Sequence, residues 1–431
     1  MTEGDISIQE GWNHVDSFSG TVQRSMLTEE GVSISSNPAC QSMPANTETP
    51  KGESAPKKSS QGPFTLWLGL KMSTMFKIAG QGAEIHPSRW SRLALLPGMA
   101  VYNSVMSLIE DIRYAKKLRE TKIDQPPVFV LGHWRSGSTL LHNLITSDPQ
   151  FSFVTLYQTM FPWHCLTTEW FGKKIAAPFL PKTRPMDNVS IDFTFPQEDE
   201  FALCVMTGYS PYLLPLFQHQ PRKIDRFFDV QSGLNPEELQ EWKDALTLLM
   251  KKVTLKTGKP VVLKSPSHTF RTKLLLEMFP NAKFVYIYRN PYVCFKSSVH
   301  FRKTIFEENA LGLAQQEDMS EEVLKSYEDC FRLYERDKVL IPKGNLHEIC
   351  YEQLEADPLG EMQKLYQNLN ISGYNNLREA LVPQLASLRE YKKNKFNDDP
   401  ERMRQIYERL KFAFDRYGYP PPGSEVEQAA A

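Results

Sequence analysis

Arg135, Ser138 and Thr139 lie in the stretch VFVLGHWRSGSTLLHNLI, Val128 to Ile145, where an apolar run ends at Gly132 and a second, at helical spacing, follows a glycine-rich turn. Glycines 132 and 137 are spaced as in the phosphate-binding pattern G-x-x-x-x-G-K-[ST]. A glycine turn between strand and helix lets backbone N–H groups approach an anion, and the helix N-terminus adds a favourable dipole. The lysine position of the pattern holds Ser138, and the cation stands earlier, at Arg135. Such a loop suits a nucleotide that carries a transferable group on its 5′ phosphate and needs no metal. From the loop alone three readings stay open: that nucleotide site, a degenerate kinase loop, and a Gly/Ser turn that caps a helix.

A second stretch, VVLKSPSHTFRTKLLLEMFPNAKFVYIYRNPYVCFKSS, runs from Val261 to Ser298. One strand is expected to end at Lys264 and another, Phe284–Tyr288, at Arg289. Asn290 and Pro291 then cap and open a helix, with proline at its first position. Arg289 leaves the carboxyl end of a parallel strand, where ligands of open α/β sheets bind, and Ser297 follows about two turns on.

With both stretches in view the chain resembles the PAPS-dependent sulfotransferases, which transfer sulfate from 3′-phosphoadenosine 5′-phosphosulfate (PAPS). Their 5′-phosphosulfate loop matches GHWRSGSTLL, Gly132 to Leu141, in its arginine version; Ser138 replaces the usual threonine and keeps the hydroxyl. Their 3′-phosphate pair, an arginine and a serine eight positions later, matches Arg289 and Ser297. The lysine ending their second strand matches Lys264, and an aromatic near the cofactor matches Tyr351 in CYEQLEADPLGEMQKLYQNLNI. The likeness covers roughly Pro127 to Gly418 and extends to bacterial-branch motifs at Arg184–Asn188, Gln197–Leu203 and Leu263–Arg271. It implies a PAPS site built from Gly132, Arg135, Ser136, Gly137, Ser138, Thr139, Leu140, Arg289, Ser297 and Tyr351, with no metal.

Sulfuryl transfer, like phosphoryl transfer, asks mostly for positioning and charge stabilisation. Arg135 and Lys264 are expected to neutralise charge on the moving group and the bridging oxygen. A general base must take the acceptor's proton. His268, Glu198 and Glu200 are the candidates, and the sequence does not choose among them. Arg271 and His142 read as structural, and Arg184 with Asp187 as a pair shaping the insertion. Tyr209–Tyr212 is expected to line that insertion, and YKKNKF, Tyr391 to Phe396, reads either as a loop closing over the nucleotide or as a plain charged loop.

These residues need a scaffold. Short apolar strands at Val128–Leu131, Val261–Leu263 and Phe284–Tyr288, with a weaker one at His347–Tyr351, alternate with helical patterns at Thr139–Thr146, Thr269–Met278, Tyr292–Lys303 and Pro358–Asn368. That rhythm predicts an α/β fold: a three-layer, P-loop-like parallel sheet flanked by helices over residues 123–420. A helical lead-in is expected over 64–122, an irregular aromatic-rich insertion over Tyr157 to Leu255, a last helix stopped by Gly418, and disordered tails at 1–63 and 421–431. The aromatic insertion fits an apolar acceptor, or simply a core.

Among 431 residues, 41% are hydrophobic, enough for a real core, and the net charge of -1 gives no global case for nucleic acid. The acidic start MTEGDISIQEGW does not resemble a secretory signal, and six scattered cysteines read as reduced thiols. A cytoplasmic protein is expected. Leu93 to Ile109 is marginal for a span of about 20 residues and reads first as a buried or amphipathic helix. The second reading sets 64–122 on a membrane surface. The acceptor is expected to be a hydroxyl on a small molecule, glycan or lipid. Two competitors stand beside this reading: a P-loop nucleotide kinase, and a non-catalytic membrane-surface protein that has kept the fold.

Overall fold

The computed structural model describes residues 66–181, 191–312, 318–385 and 400–421. The expected tails (save Pro421), the Arg184–Asn188 motif with its pair, and the YKKNKF segment lie outside the described residues.

Five parallel strands form one sheet: β1 Val128–Leu131, β2 Ser152–Phe153, β3 Val261–Lys264, β4 Lys283–Tyr288 and β5 Leu346–Cys350, in the order β2-β3-β1-β4-β5. Residues alternate between the two faces. Phe129, Leu131, Leu263, Phe284 and Tyr286 enter one core, while Val128, Val130, Val262, Val285 and Ile287 enter the other. Both faces are covered by helices, so the strands read as continuous apolar runs. β1 sits at the point where the strand order reverses, and the chain leaves its carboxyl end as the glycine loop.

In chain order the helices that matter are α1 Met72–Gly80, α2 Leu96–Glu120, α3 Ser138–Thr146, α4 Cys165–Ala176, α5 Asp199–Thr207, α6 Pro236–Thr257, α7 Thr272–Met278, α8 Pro291–Asn309, α9 Ser320–Asp337, α10 Pro358–Asn368 and α11 Pro400–Tyr417. The three-layer expectation holds.

The irregular insertion does not hold. The described residues of 157–255 are largely helical, and α6 alone spans 22 residues. Asn235 and Glu238 form a reciprocal capping box around Pro236, which supplies a helix start. The aromatics there mostly build core: Tyr157 and Phe161 pack with Cys165 and Phe193. Some boundaries shift, and one strand is added. The segment after β3 begins as a 3-10 turn, Pro266–Arg271, before α7; Tyr351 opens a helix rather than ending β5; and the short edge strand β2 stands where none was expected.

Candidate active site

Four adjacent strands deliver their following residues to one edge of the sheet: the loop Gly132–Gly137 after β1, Lys264 ending β3, Arg289 just beyond β4 and Tyr351 just beyond β5. This is the crevice at the carboxyl ends of the strands where α/β folds bind ligands.

The loop is held in a conformation that side chains resist. Gly132 has φ 146° and Gly137 φ 98°, and Arg135 itself is left-handed at φ 67°. A Cβ on Gly132 would meet the Ile287 carbonyl at 2.6 Å, and one on Gly137 would drive into the Tyr351 ring. Ser136 closes the turn, its Oγ donating to the His133 carbonyl at 2.8 Å. Thr139 and Leu140 lie in the first turn of α3, which starts at Ser138. Thr269 braces the loop: its Oγ1 accepts from Gly132 N at 2.8 Å and donates to Gly132 O at 3.1 Å. Sequence reasoning passed over Thr269, because a threonine in a helical pattern carries no sign of a partner 137 positions away. Gly137→Ala is expected to cost about 1–2 kcal/mol of stability through its backbone conformation, and to weaken nucleotide binding further as Tyr351 is displaced. Urea unfolding and a nucleotide titration of the variant check this.

Arg135 and the Arg289–Ser297 pair, remote in sequence, meet here. Arg135 Nε donates to Ser297 Oγ at 2.8 Å, and Arg289 Nη1 approaches the Arg135 carbonyl at 3.4 Å. The Arg289 guanidinium lies over the Tyr351 ring, 4.1 Å from its centre, and its Nε is buried without a hydrogen-bond partner. An anion is the natural partner for such a donor.

On the other side stands Lys264, 1 % exposed. Its Nζ pairs with Glu198 Oε1 at 2.6 Å and reaches Thr139 Oγ1 at 3.4 Å. Lys264 thus joins the loop to the insertion. The phenol of Tyr212 donates to the other carboxylate oxygen of Glu198. The Glu198 charge beside that buried phenol, after burial itself, holds its proton on well above the usual range.

The three candidate bases differ sharply in placement. Glu198 caps α5 and keeps part of its side chain accessible beside Lys264. Glu200 is fully buried and has other partners. Arg271 grips it at 2.6 and 3.2 Å, Ser210 donates to it at 2.7 Å, and Arg271 also donates to the Phe227 and Phe228 carbonyls. These bonds tie Glu200 and Arg271 together in the interior. His268 is also fully buried; its Nε2 bonds Asp199 Oδ2 at 2.6 Å, while its Nδ1 has no hydrogen-bond partner. Burial alone would raise the Asp199 carboxyl, but His268 beside it, a backbone hydrogen bond and His142 together hold it below the usual range.

Two neighbouring histidines fold neutral. Burial first, then Lys264, lowers His142 to about 3; burial first, then Arg302, lowers His133 to about 3. Unfolded, each titrates near 6.5. Between those values the unfolded chain binds a proton that the native one refuses. Stability is therefore present above the unfolded value and lost as pH falls, by about 1.4 kcal/mol per pH unit for each histidine. Urea midpoints are expected to drop between about pH 7 and about pH 5, less steeply in His142→Phe.

Among the described residues no group of His, Cys, Asp and Glu could hold a metal ion, and cysteines 165, 204, 294, 330 and 350 are free thiols.

Comparison with known proteins agrees with this geometry. The profile of the Sulfotransferase family matches residues 126–376. The omega-hydroxy-beta-dihydromenaquinone-9 sulfotransferases Stf3 of Mycobacterium bovis and Mycobacterium tuberculosis are each 34% identical over 355 residues, 82% of this chain and 91% of theirs. Among solved structures, sulfotransferase STF9 from Mycobacterium avium aligns with a TM-score of 0.55 at 17% identity, over 82% of this chain and 98% of that one. Sulfotransferase STF1 from Mycobacterium tuberculosis aligns with a TM-score of 0.50 at 15% identity, over 78% and 90%. At those identities the two structures speak for the fold.

Proposed function

The chain belongs to the Sulfotransferase family, and from that premise we propose that it takes the sulfuryl group of PAPS and passes it in line to a hydroxyl on a hydrophobic, lipid-like acceptor. One observation carries the donor assignment: Arg135 touches both parts of the nucleotide site, with its Nε on Ser297 and its carbonyl facing Arg289. The residues fit a bisphosphorylated nucleoside. The positive-φ glycine loop and the N-terminus of α3 would hold the 5′ end, and Arg289 Nε, buried without a partner, would hold the 3′ phosphate together with Ser297. When bound, the donor supplies a sulfuryl group on a phosphate leaving group.

The chain's own residues do the rest. Lys264 places a buried positive charge between Thr139 and Glu198, where charge builds on the oxygen that bridges phosphate and sulfur. Arg135 adds a second positive charge from the loop. Glu198, the partly accessible carboxylate beside Lys264, takes the acceptor's proton, and Tyr212 fixes the carboxylate's rotation by donating to it. His268, bonded to Asp199, supports the floor of the site. The acceptor class follows from the Stf3 relatives, whose name specifies a hydroxylated dihydromenaquinone, and from their identity with this chain over nine-tenths of their length.

Incubation with sulfur-labelled PAPS and a panel of acceptors tests this. The expected result is label on a long-chain or isoprenoid alcohol, absent from free sugars, inhibited by 3′,5′-bisphosphoadenosine (PAP) and indifferent to EDTA. Label on no hydroxyl compound, or activity abolished by EDTA, would overturn it.

A further inference from the structure

Helix α2 is built inside out. A surface helix ordinarily turns its apolar stripe to the core and its polar stripe to water. Here the buried stripe contains Asn103, Ser107 and Glu110. Each is satisfied within the protein: Asn103 Nδ2 donates to the Leu68 and Leu70 carbonyls at 2.7 and 2.9 Å, Ser107 accepts from Lys71 at 3.4 Å, and Glu110 pairs with buried Lys252 at 2.6 Å. The opposite face carries Val101, Val105, Leu108 and Ile112, one residue per turn in a straight row, all exposed, with Leu108 at 61 % and Ile112 at 77 %. The polar stripe is committed to the interior by its bonds, so the helix cannot rotate to hide the apolar row.

Two further features say what this row meets. Beyond Ile112, Lys116 and Arg119 continue the same side of the helix, both exposed, Lys116 lying 4.0 Å from Glu120. Trp90, ahead of α2, and Trp170, on the packed helix α4, are also exposed, at 65 % and 74 %; α4 is tied to α2 where Thr167 N donates to Glu110 at 2.9 Å. An apolar row that runs into cations, on a surface that also exposes two tryptophans, matches the boundary between lipid tails and anionic headgroups. No helix among the described residues is long and apolar enough to cross a membrane, so the contact is one of lying on the surface.

We propose that the exposed face of α2 docks the enzyme on an anionic lipid bilayer, with Val105, Leu108 and Ile112 entering the headgroup boundary and Lys116 and Arg119 meeting lipid phosphates. The proposal does not depend on the acceptor reading above.

Co-sedimentation of the full chain with phosphatidylcholine vesicles, with and without phosphatidylglycerol, tests it. The full chain is expected to pellet with the phosphatidylglycerol vesicles at low salt. Binding should fall at least about tenfold in Leu108→Ser/Ile112→Ser, in Lys116→Glu/Arg119→Glu and on vesicles of phosphatidylcholine alone. PAP affinity should be unchanged in both variants, which shows that they fold. Three outcomes overturn the proposal: no pelleting with either vesicle, variants that pellet as the wild type does, or a dimer in vesicle-free solution that Leu108→Ser/Ile112→Ser dissolves. The last would assign the face to a second copy of the chain.

Discussion

Replacing Lys264 with alanine is expected to lower kcat by roughly 10³-fold while changing the affinity for PAP by less than about threefold. The asymmetry follows from where the ammonium sits. It lies 2.6 Å from Glu198 and 3.4 Å from Thr139, buried between the loop and the insertion, rather than among the groups assigned to the nucleotide's 3′ end. A charge there matters most when negative charge develops on the oxygen being released, and less in the ground state. Removal also leaves Glu198 beside a buried space without its counter-ion, so the proposed base loses its position along with the charge. Stopped assays with labelled PAPS and a PAP titration of the same variant separate the two effects. Equal losses in turnover and in PAP affinity would make Lys264 a binding residue only.

Arg289→Ala is expected to weaken PAP binding by roughly 100-fold, the order of a charge-assisted bidentate contact. Adenosine 5′-phosphosulfate, which lacks the 3′ phosphate, should lose little in the same variant. Arg289 is fixed for this task before any ligand arrives: its guanidinium rests on the Tyr351 ring at 4.1 Å and its Nη1 faces the Arg135 carbonyl. Truncation therefore removes a pre-placed donor and costs Tyr351 its stacking partner. Competition of PAP and of the 5′-phosphosulfate against a fluorescent nucleotide measures both. Equal weakening of the two ligands would move Arg289 out of the 3′-phosphate role.

Much of this site was legible in the sequence because its parts are local. The loop announces itself through glycines whose positive φ no other residue adopts cheaply. Lys264 and Arg289 end apolar runs whose continuous burial identifies them as inner parallel strands. Pro358–Asn368 was read to the residue, helped by a proline at its first position and an aspartate cap. What stayed hidden depends on distance. Glu200 and Glu198 are two positions apart in one acidic run, yet one is locked by Arg271 and the other joins Lys264; nothing in the run distinguishes them until the chain is folded. Tyr212 and Thr269 act through partners far along the chain. Strand β2 has two residues and follows from pairing with β3 rather than from any pattern of its own. The insertion is a different case, since the Asn235–Glu238 capping box ahead of α6 is a local signal that the aromatic and proline content obscured. Helix α2 misled in the opposite way. Its apolar stretch reads first as a buried or amphipathic helix, whereas the polar residues face inward because Leu68, Leu70 and Lys252 supply their partners.

The most direct test of the central claim, that Arg135 with its loop and the Arg289–Ser297 pair hold the two ends of one bisphosphorylated adenosine, is calorimetric titration of the full chain with PAP and with 5′-AMP. The account predicts one saturable site per chain for PAP, with 5′-AMP bound at least roughly 100-fold more weakly for want of the 3′ phosphate. No heat with PAP, or equal affinity for the two nucleotides, would contradict it.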